Sequence, residues 1–473
     1  MNKYLKTLLI FLIFTYQNNA QKAPTELLDI DALATSYSAR IENEDGLQDF
    51  FQKLELLKLG LIPKVSIVHI GDSHLQAGFA TNETRKILQS EFGNAGQGLV
   101  FPYKLAKSNA PRDSYSFSNV EWVSYRNVHE QDLFDIGIKG YVIATLDPNA
   151  ILKISVNPKD SMDYSFDKIS IFHPQESSNY HYKVSYHENR DILEQSMHEH
   201  RKVVYKVRRG DYLGKIASKF QMSIKDLKQL NKLKKDIIYE NQTLVVKNKD
   251  RYFDPINLDD FKDISVKRED FKYHSEIGLE QPVNYFFLTQ MASSLTSKEI
   301  QIDGILLEKS NVSGLLYNMI GVNGAMYSDY NKSELFFKQL SSLNPDLIIV
   351  SLGTNEISNQ REDIQEDMRL FFQNLSDITK FKSSILITTP IDYKGRANLS
   401  NQVASDVLDF ARTQNMPYYN LYDIFGGKNS IRKLQGLKLA QRDGIHLNAD
   451  GYRLQGFLFA KALLQSYNNY LVD

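Results

Sequence analysis

An α/β domain whose parallel sheet is covered by helices on both faces, and which is split in two by a β-rich insertion, is the architecture this sequence predicts. Three observations carry that expectation. A short, mainly β-branched run from Val65 to Ile70 stops at Gly71, and a helical stretch from Thr81 to Phe92 follows and closes at Gly93. The same alternation returns late in the chain, with strands at Leu347 to Val350, Ile385 to Ile387 and Tyr418 to Leu421, and helices at Asp363 to Leu375, Val403 to Arg412 and Asp450 to Tyr467. Alternating β and α units imply a parallel sheet with helices packed on each face. Between the two regions, Tyr141 to His187 and Val283 to Leu307 change to short alternating runs such as Ile151-Leu-Lys-Ile-Ser-Val, which read as strands of a sandwich-like insertion.

The remaining elements follow in chain order. Lys3 and Lys6, the apolar run Leu8 to Phe14 and the small residue Ala20 read as a signal peptide over residues 1–20, so an exported protein is expected, periplasmic or outside the cell. That run is well short of the roughly 20 residues of a spanning helix, and no integral membrane segment is expected after cleavage. Thr25 to Leu59 reads as helical. At 473 residues the chain exceeds the roughly 250–300 at which one core stops growing, so several packed units are expected. These are an N-terminal part of the α/β domain at 25–112, the insertion at 113–308, and a C-terminal part at 309–473. A basic segment of different character, Val203 to Val246, reads as strand, two short helices and strand, a small domain nested at 203–248.

Composition removes several chemistries. With no cysteine there are no disulfides, no thiolate metal site and no cysteine nucleophile. There is no His-Glu-x-x-His and the histidines are scattered, so no metal and no cofactor are expected. A formal net charge of −1 exerts no global pull on nucleic acid.

Four short blocks at predicted strand ends carry candidate chemistry. Gly71-Asp72-Ser73-His74 places a hydroxyl on a sharp strand-to-helix turn, although serine also caps helices at such turns. Asp443-Gly-Ile-His446 offers the carboxylate and imidazole that a serine nucleophile needs, or else a cap and a surface histidine. Gly321-Val-Asn-Gly324 and Gly353-Thr-Asn355-Glu356 offer donors for an oxyanion, or simple turns.

Taken in order, the four blocks resemble those of the SGNH or GDSL family of hydrolases. The resemblance implies a flavodoxin-like three-layer α/β/α fold, with Ser73 as nucleophile, His446 as general base and Asp443 as its orienting acid. It also implies an oxyanion hole formed by the backbone N–H groups of Ser73 and Gly324 with the amide of Asn355. His74 and Glu356 depart from the usual blocks, and His74 is also weighed as a second base. The basic segment, from Tyr205-Lys-Val-Arg-Arg-Gly-Asp-Tyr to Asn241-Gln-Thr-Leu-Val-Val, resembles a LysM module. That likeness implies a βααβ fold that binds peptidoglycan or another N-acetylglucosamine-containing glycan through Gly210, Asp211, Tyr212 and Leu213 on one loop and Ile237, Ile238 and Tyr239 on another. Together the two resemblances lead to the expectation of a secreted esterase that removes O-acetyl groups from peptidoglycan or a related wall glycan. An esterase for other acetylated polysaccharides or lipids, and a non-catalytic wall-binding protein, are the alternatives.

Overall fold

The computed structural model describes residues 29–472 except 129–134, 158–160, 175–180, 187–190, 200–202, 247–250, 260, 264–272, 291–298 and 381. The expected signal peptide therefore lies outside the described residues, as do the last two positions of the nested domain.

Five strands form the parallel sheet: β1 (Lys64–Gly71), β2 (Gly314–Gly321), β3 (Leu347–Ser351), β4 (Ser384–Thr388) and β5 (Tyr418–Tyr419). Their spatial order is β2-β1-β3-β4-β5, and every pair is parallel. This is the doubly wound flavodoxin order, which places a crevice at the carboxyl end of β1, where the winding reverses. Because side chains alternate along a strand, each sheet face gathers its own core. Val65 and Ile67 pack with Phe50, Leu54, Leu88 and Leu458 from the helices Gln48–Lys58, Phe79–Phe92 and Ala449–Tyr470. Val68 and Ile70 face the opposite layer, with Phe336, Phe371 and Val403 from Glu334–Ser341, Arg361–Thr379 and Ala397–Thr413.

One expected helix is broken. Within Thr25 to Leu59 the described chain forms Ile30–Ala34, a 3-10 turn at Glu44–Leu47 and then Gln48–Lys58. The reason lies in the sheet: Glu42 exchanges backbone hydrogen bonds with Tyr418, 2.9 and 3.1 Å, so this stretch is extended along the edge of β5.

The insertion is antiparallel throughout. A five-stranded sheet (Lys262–Asp263, Tyr182–Ser185, Tyr285–Gln290, Ile151–Val156, Ser114–Ser118) faces a four-stranded one (His274–Val283, Phe166–Phe172, Gly304–Glu308, Gly98–Val100). Phe166 meets Phe286 edge to face across the gap, ring centroids 5.8 Å apart. A three-stranded sheet joins Ile300–Ile302, Tyr141–Thr145 and Val123–Arg126. The strand Gly98–Val100 precedes the expected boundary at 113 yet pairs with Gly304–Glu308, so the insertion's sheet recruits part of the first segment. Ile154, Ile169 and Leu288 belong to the same continuous core as Val68 and Ile70, which fixes the insertion against the parallel sheet.

The nested domain has the expected βααβ order, Val203–Lys206, Leu213–Lys219, Ile224–Leu230 and Thr243–Val246, and its end strands pair antiparallel. Val207, Leu213, Ile216, Leu227, Leu244 and Val246 give it a core of its own. A short ladder of Met197–Glu199 with Arg251–Phe253 brackets it. Among the described residues no helix is long and apolar enough to cross a membrane.

Candidate active site

The turn after β1 is tight because its glycines leave no room. A Cβ on Gly71 would lie 2.6 Å from Leu75 Cδ1 and 2.7 Å from the Ser351 carbonyl, and one on Gly321 would lie 2.5 Å from the Gln76 nitrogen. The helix Ser73–Gln76 begins here, and its cap is Asp72, whose Oδ1 accepts the His74 N–H at 2.9 Å. The Ser73 hydroxyl is thereby relieved of capping, and its Oγ lies 2.9 Å from His446 Nε2.

His446 is carried on a turn built by Asp443. Asp443 Oδ1 accepts the N–H groups of Ile445 (2.9 Å) and His446 (3.1 Å), and Oδ2 lies 2.8 Å from His446 Nδ1. Partial burial would raise this carboxyl, but those N–H groups and the imidazole hold it below its ordinary value. A carboxylate at Nδ1 selects the tautomer with the proton there, which leaves the Nε2 lone pair facing the serine hydroxyl. The four blocks thus meet at one end of the sheet, the end predicted for ligands in open α/β folds.

The donor loops follow β2 and β3. Gly324 has a left-handed backbone, φ +86°, a conformation that favours glycine. Asn355 opens a single 3-10 turn, and its Nδ2 donates to the Ala325 carbonyl at 2.9 Å, which ties its amide to the Gly324 loop and leaves a second N–H. Glu356 is 1% exposed; its Oε1 accepts the Tyr327 N–H at 3.0 Å, while its Oε2 and Asp72 Oδ2 are buried with no hydrogen-bond partner among the described residues. Burial, opposed by that N–H and reinforced by Asp72, pushes the Glu356 carboxyl up to about 8.

His74, weighed as a second base, is buried, and its Nδ1 pairs with the Tyr452 hydroxyl at 3.1 Å. Its ring stacks tilted on His446, centroids 5.1 Å apart, and burial holds its pKa below the usual histidine value. A neutral ring packed this way supports the face of His446 and stands outside the chain from carboxylate to hydroxyl.

Two residues escaped the sequence reading. Gln76, fully buried, accepts the Asn323 N–H (2.7 Å) and the Tyr141 hydroxyl (3.0 Å) on its oxygen and donates to Ser108 Oγ (2.7 Å) and the Asn109 carbonyl (2.9 Å). Arg126 Nη1 donates to the Asn323 carbonyl at 3.1 Å. Isolated polar residues at the ends of a short helix and a short strand give no periodic signal, and only a match of contacts some two hundred positions apart would have found them.

The glycan-loop residues of the nested domain divide in two. Gly210, Tyr212, Ile237 and Tyr239 are exposed, Tyr212 by 64% and Tyr239 by 70%. Leu213 is buried and Ile238 packs on the domain core, so both point inward. Asp211 also serves the loop itself: its Oδ2 accepts the Arg208 N–H (2.9 Å) and the Tyr205 hydroxyl (2.8 Å), and these bonds lower its pKa to about 2.

Comparison with known proteins agrees with this layout. Residues 205–247 match the LysM domain and residues 281–458 match the GDSL-like lipase/acylhydrolase family, a stretch that begins after Ser73. A solved structure of a peptidoglycan O-acetylesterase superposes with a TM-score of 0.60 at 18% identity, covering 89% of this chain and 96% of that one. The probable peptidoglycan endopeptidase LytE of Bacillus subtilis (strain 168) is 58% identical over 43 residues, 9% of this chain. The chain spans only 13% of the length of that relative. The protein therefore carries an SGNH-type hydrolase domain of the GDSL-like lipase/acylhydrolase family, with a LysM domain set into its sequence.

Proposed function

We propose that this protein is a serine esterase that removes O-acetyl groups from peptidoglycan at the cell wall. The observation that carries the reading is the unbroken chain of contacts from carboxylate to imidazole to hydroxyl, 2.8 and 2.9 Å, at the carboxyl end of the parallel sheet. Ser73 Oγ attacks the acetyl carbonyl while His446 Nε2 takes its proton, and Asp443 stabilises the imidazolium. The negative oxygen of the tetrahedral intermediate is received by the N–H groups of Ser73 and Gly324 and the free N–H of Asn355. His446 then gives its proton to the sugar oxygen, leaving an acetyl-enzyme. Water, deprotonated by the same imidazole, releases acetate.

The substrate class is supported by the LysM domain beside the hydrolase domain and by the superposable fold of a peptidoglycan O-acetylesterase. Tyr212, Ile237 and Tyr239 give the LysM loops an exposed apolar face on which sugar rings can lie. Tethering the glycan there raises its concentration at the serine without any new contact at the reacting bond.

The test is acetate release from O-acetylated peptidoglycan and hydrolysis of a chromogenic acetyl ester, beside Ser73→Ala. Loss of both activities in the variant is expected. No hydrolysis by either protein would leave only the wall-binding alternative, an active Ser73→Ala would remove Ser73 from the mechanism, and activity confined to long acyl chains would reassign the substrate.

A further inference from the structure

We propose that Arg126, which belongs to the inserted β-rich region, is a positioning residue of the oxyanion hole and turns the Gly324 N–H toward the substrate carbonyl oxygen. The proposal rests on the esterase reading above and assigns the insertion a part in the chemistry.

The carbonyl that Arg126 Nη1 holds at 3.1 Å is that of Asn323. That oxygen and the Gly324 N–H belong to one peptide unit. The unit is planar and trans, so its oxygen and its hydrogen point in opposite directions. Whatever fixes the oxygen fixes the donor. A guanidinium on the oxygen also polarises the peptide and strengthens the N–H on its far side.

The preceding peptide is held as firmly. Its N–H, from Asn323, enters the oxygen of Gln76, which also accepts the Tyr141 hydroxyl. Tyr141 stands directly opposite Arg126 in the antiparallel pair Val123–Arg126 with Tyr141–Thr145. A single cross-strand pair of the insertion therefore holds one peptide that flanks Asn323 directly, through Arg126, and the other through Gln76, which Tyr141 orients. The backbone around it presses on the same loop: a Cβ on Gly140, itself at φ +64°, would lie 2.4 Å from Val322 Cγ2, and one on Gly324 would meet Val128 Cγ1 at 3.5 Å.

The loop needs such a clamp. The Val322–Ala325 turn is closed by the Ala325 N–H on the Val322 carbonyl at 3.1 Å, but a glycine at φ +86° lets the central peptide take either turn type, so the turn alone does not fix the aim of the Gly324 N–H. Oxyanion donors accelerate a reaction only in so far as they are oriented before charge develops. In this molecule the orientation comes from outside the parallel sheet.

The test uses the full chain and a chromogenic acetyl ester, with Arg126→Met, Arg126→Lys and Ser73→Ala. Rates are expressed per reactive serine, counted by stoichiometric labelling with a fluorophosphonate, so that partial misfolding does not count as a slow step. Arg126→Met is expected to lose roughly 10- to 100-fold in kcat with KM changed by less than about twofold, a part of the loss seen when a whole oxyanion donor is removed. Arg126→Lys, which keeps charge and donor, is expected to fall between Met and the parent. If Arg126→Met does not fold, Arg126→Leu, which also lacks a donor, takes its place with the same expected loss. Parental kcat per serine in Arg126→Met or its replacement, with Ser73→Ala inert, overturns the positioning role and leaves the esterase reading standing. An active Ser73→Ala overturns the reading beneath it.

Discussion

Replacing Glu356 with glutamine removes a titration from the floor of the candidate site, and its effect on stability follows from the burial of that carboxyl. Glu356 is 1% exposed, and desolvation, opposed by the Tyr327 N–H and reinforced by Asp72, raises it from 4.5 to about 8. Between those values the folded chain keeps the proton and the unfolded chain has released it. The stabilisation is complete below pH 4.5 and is lost as pH rises through the folded value. Each pH unit in that window costs about 1.4 kcal/mol, so about 3 kcal/mol disappears between pH 5 and pH 7. Glutamine keeps an oxygen for the Tyr327 N–H and is neutral throughout. Asp303, buried and pushed to about 7, titrates in both proteins and cancels in the comparison. Urea unfolding at pH 5, 6, 7 and 8 should therefore show Glu356→Gln gaining on the parent by about 3 kcal/mol over the first two units. Parallel stability curves for the two proteins would mean that Glu356 is ionised in the folded state, and the account of its environment would fall.

Two further outcomes are expected. Asp443→Asn should hold His446 in the wrong tautomer and lower kcat on a small acetyl ester by roughly 10³- to 10⁴-fold with little change in KM, measured by steady-state kinetics. Replacing 203–246 by a short Gly-Ser linker between the ladder strands should leave small-ester hydrolysis within about twofold and slow acetate release from peptidoglycan by about tenfold or more at low substrate, read by an acetate assay.

Much of this was legible in the sequence because the signals were local. The run Val65 to Ile70 announces a buried strand, and Gly71 and Gly321 stand where only glycine fits against Leu75 and Gln76. The LysM segment folds on its own 44 residues, and so its helices emerge with their expected order and core. What stayed hidden depends on partners far along the chain. Gly98–Val100 carries too few residues to reveal that it pairs with Gly304–Glu308, and Glu42 gives no hint that Tyr418 will draw it out of a helix. Asp211 and Leu213 looked like groove residues because they sit on the loop, whereas their side chains turn inward to hold it. Gln76 and Arg126 carry no periodicity, and their meaning appears only when Asn323 lies between them.

The position of β1 in the sheet has a consequence for biosynthesis. It is the first strand of the sheet to be made, yet Lys64 pairs with Gly314, 250 positions later, and its other neighbour is β3. Until the ribosome has delivered β2, Val65, Ile67, Val68 and Ile70 have no sheet to join, and both hydrogen-bonding edges of that strand are open to strangers. Contacts of such span are slow to form and expose nascent chains to aggregation. The LysM domain, whose strand pairing and core lie within residues 203–246, can be finished while its host is still waiting. A holdase acting on the emerging chain would therefore protect chiefly the stretch that leads into Ser73.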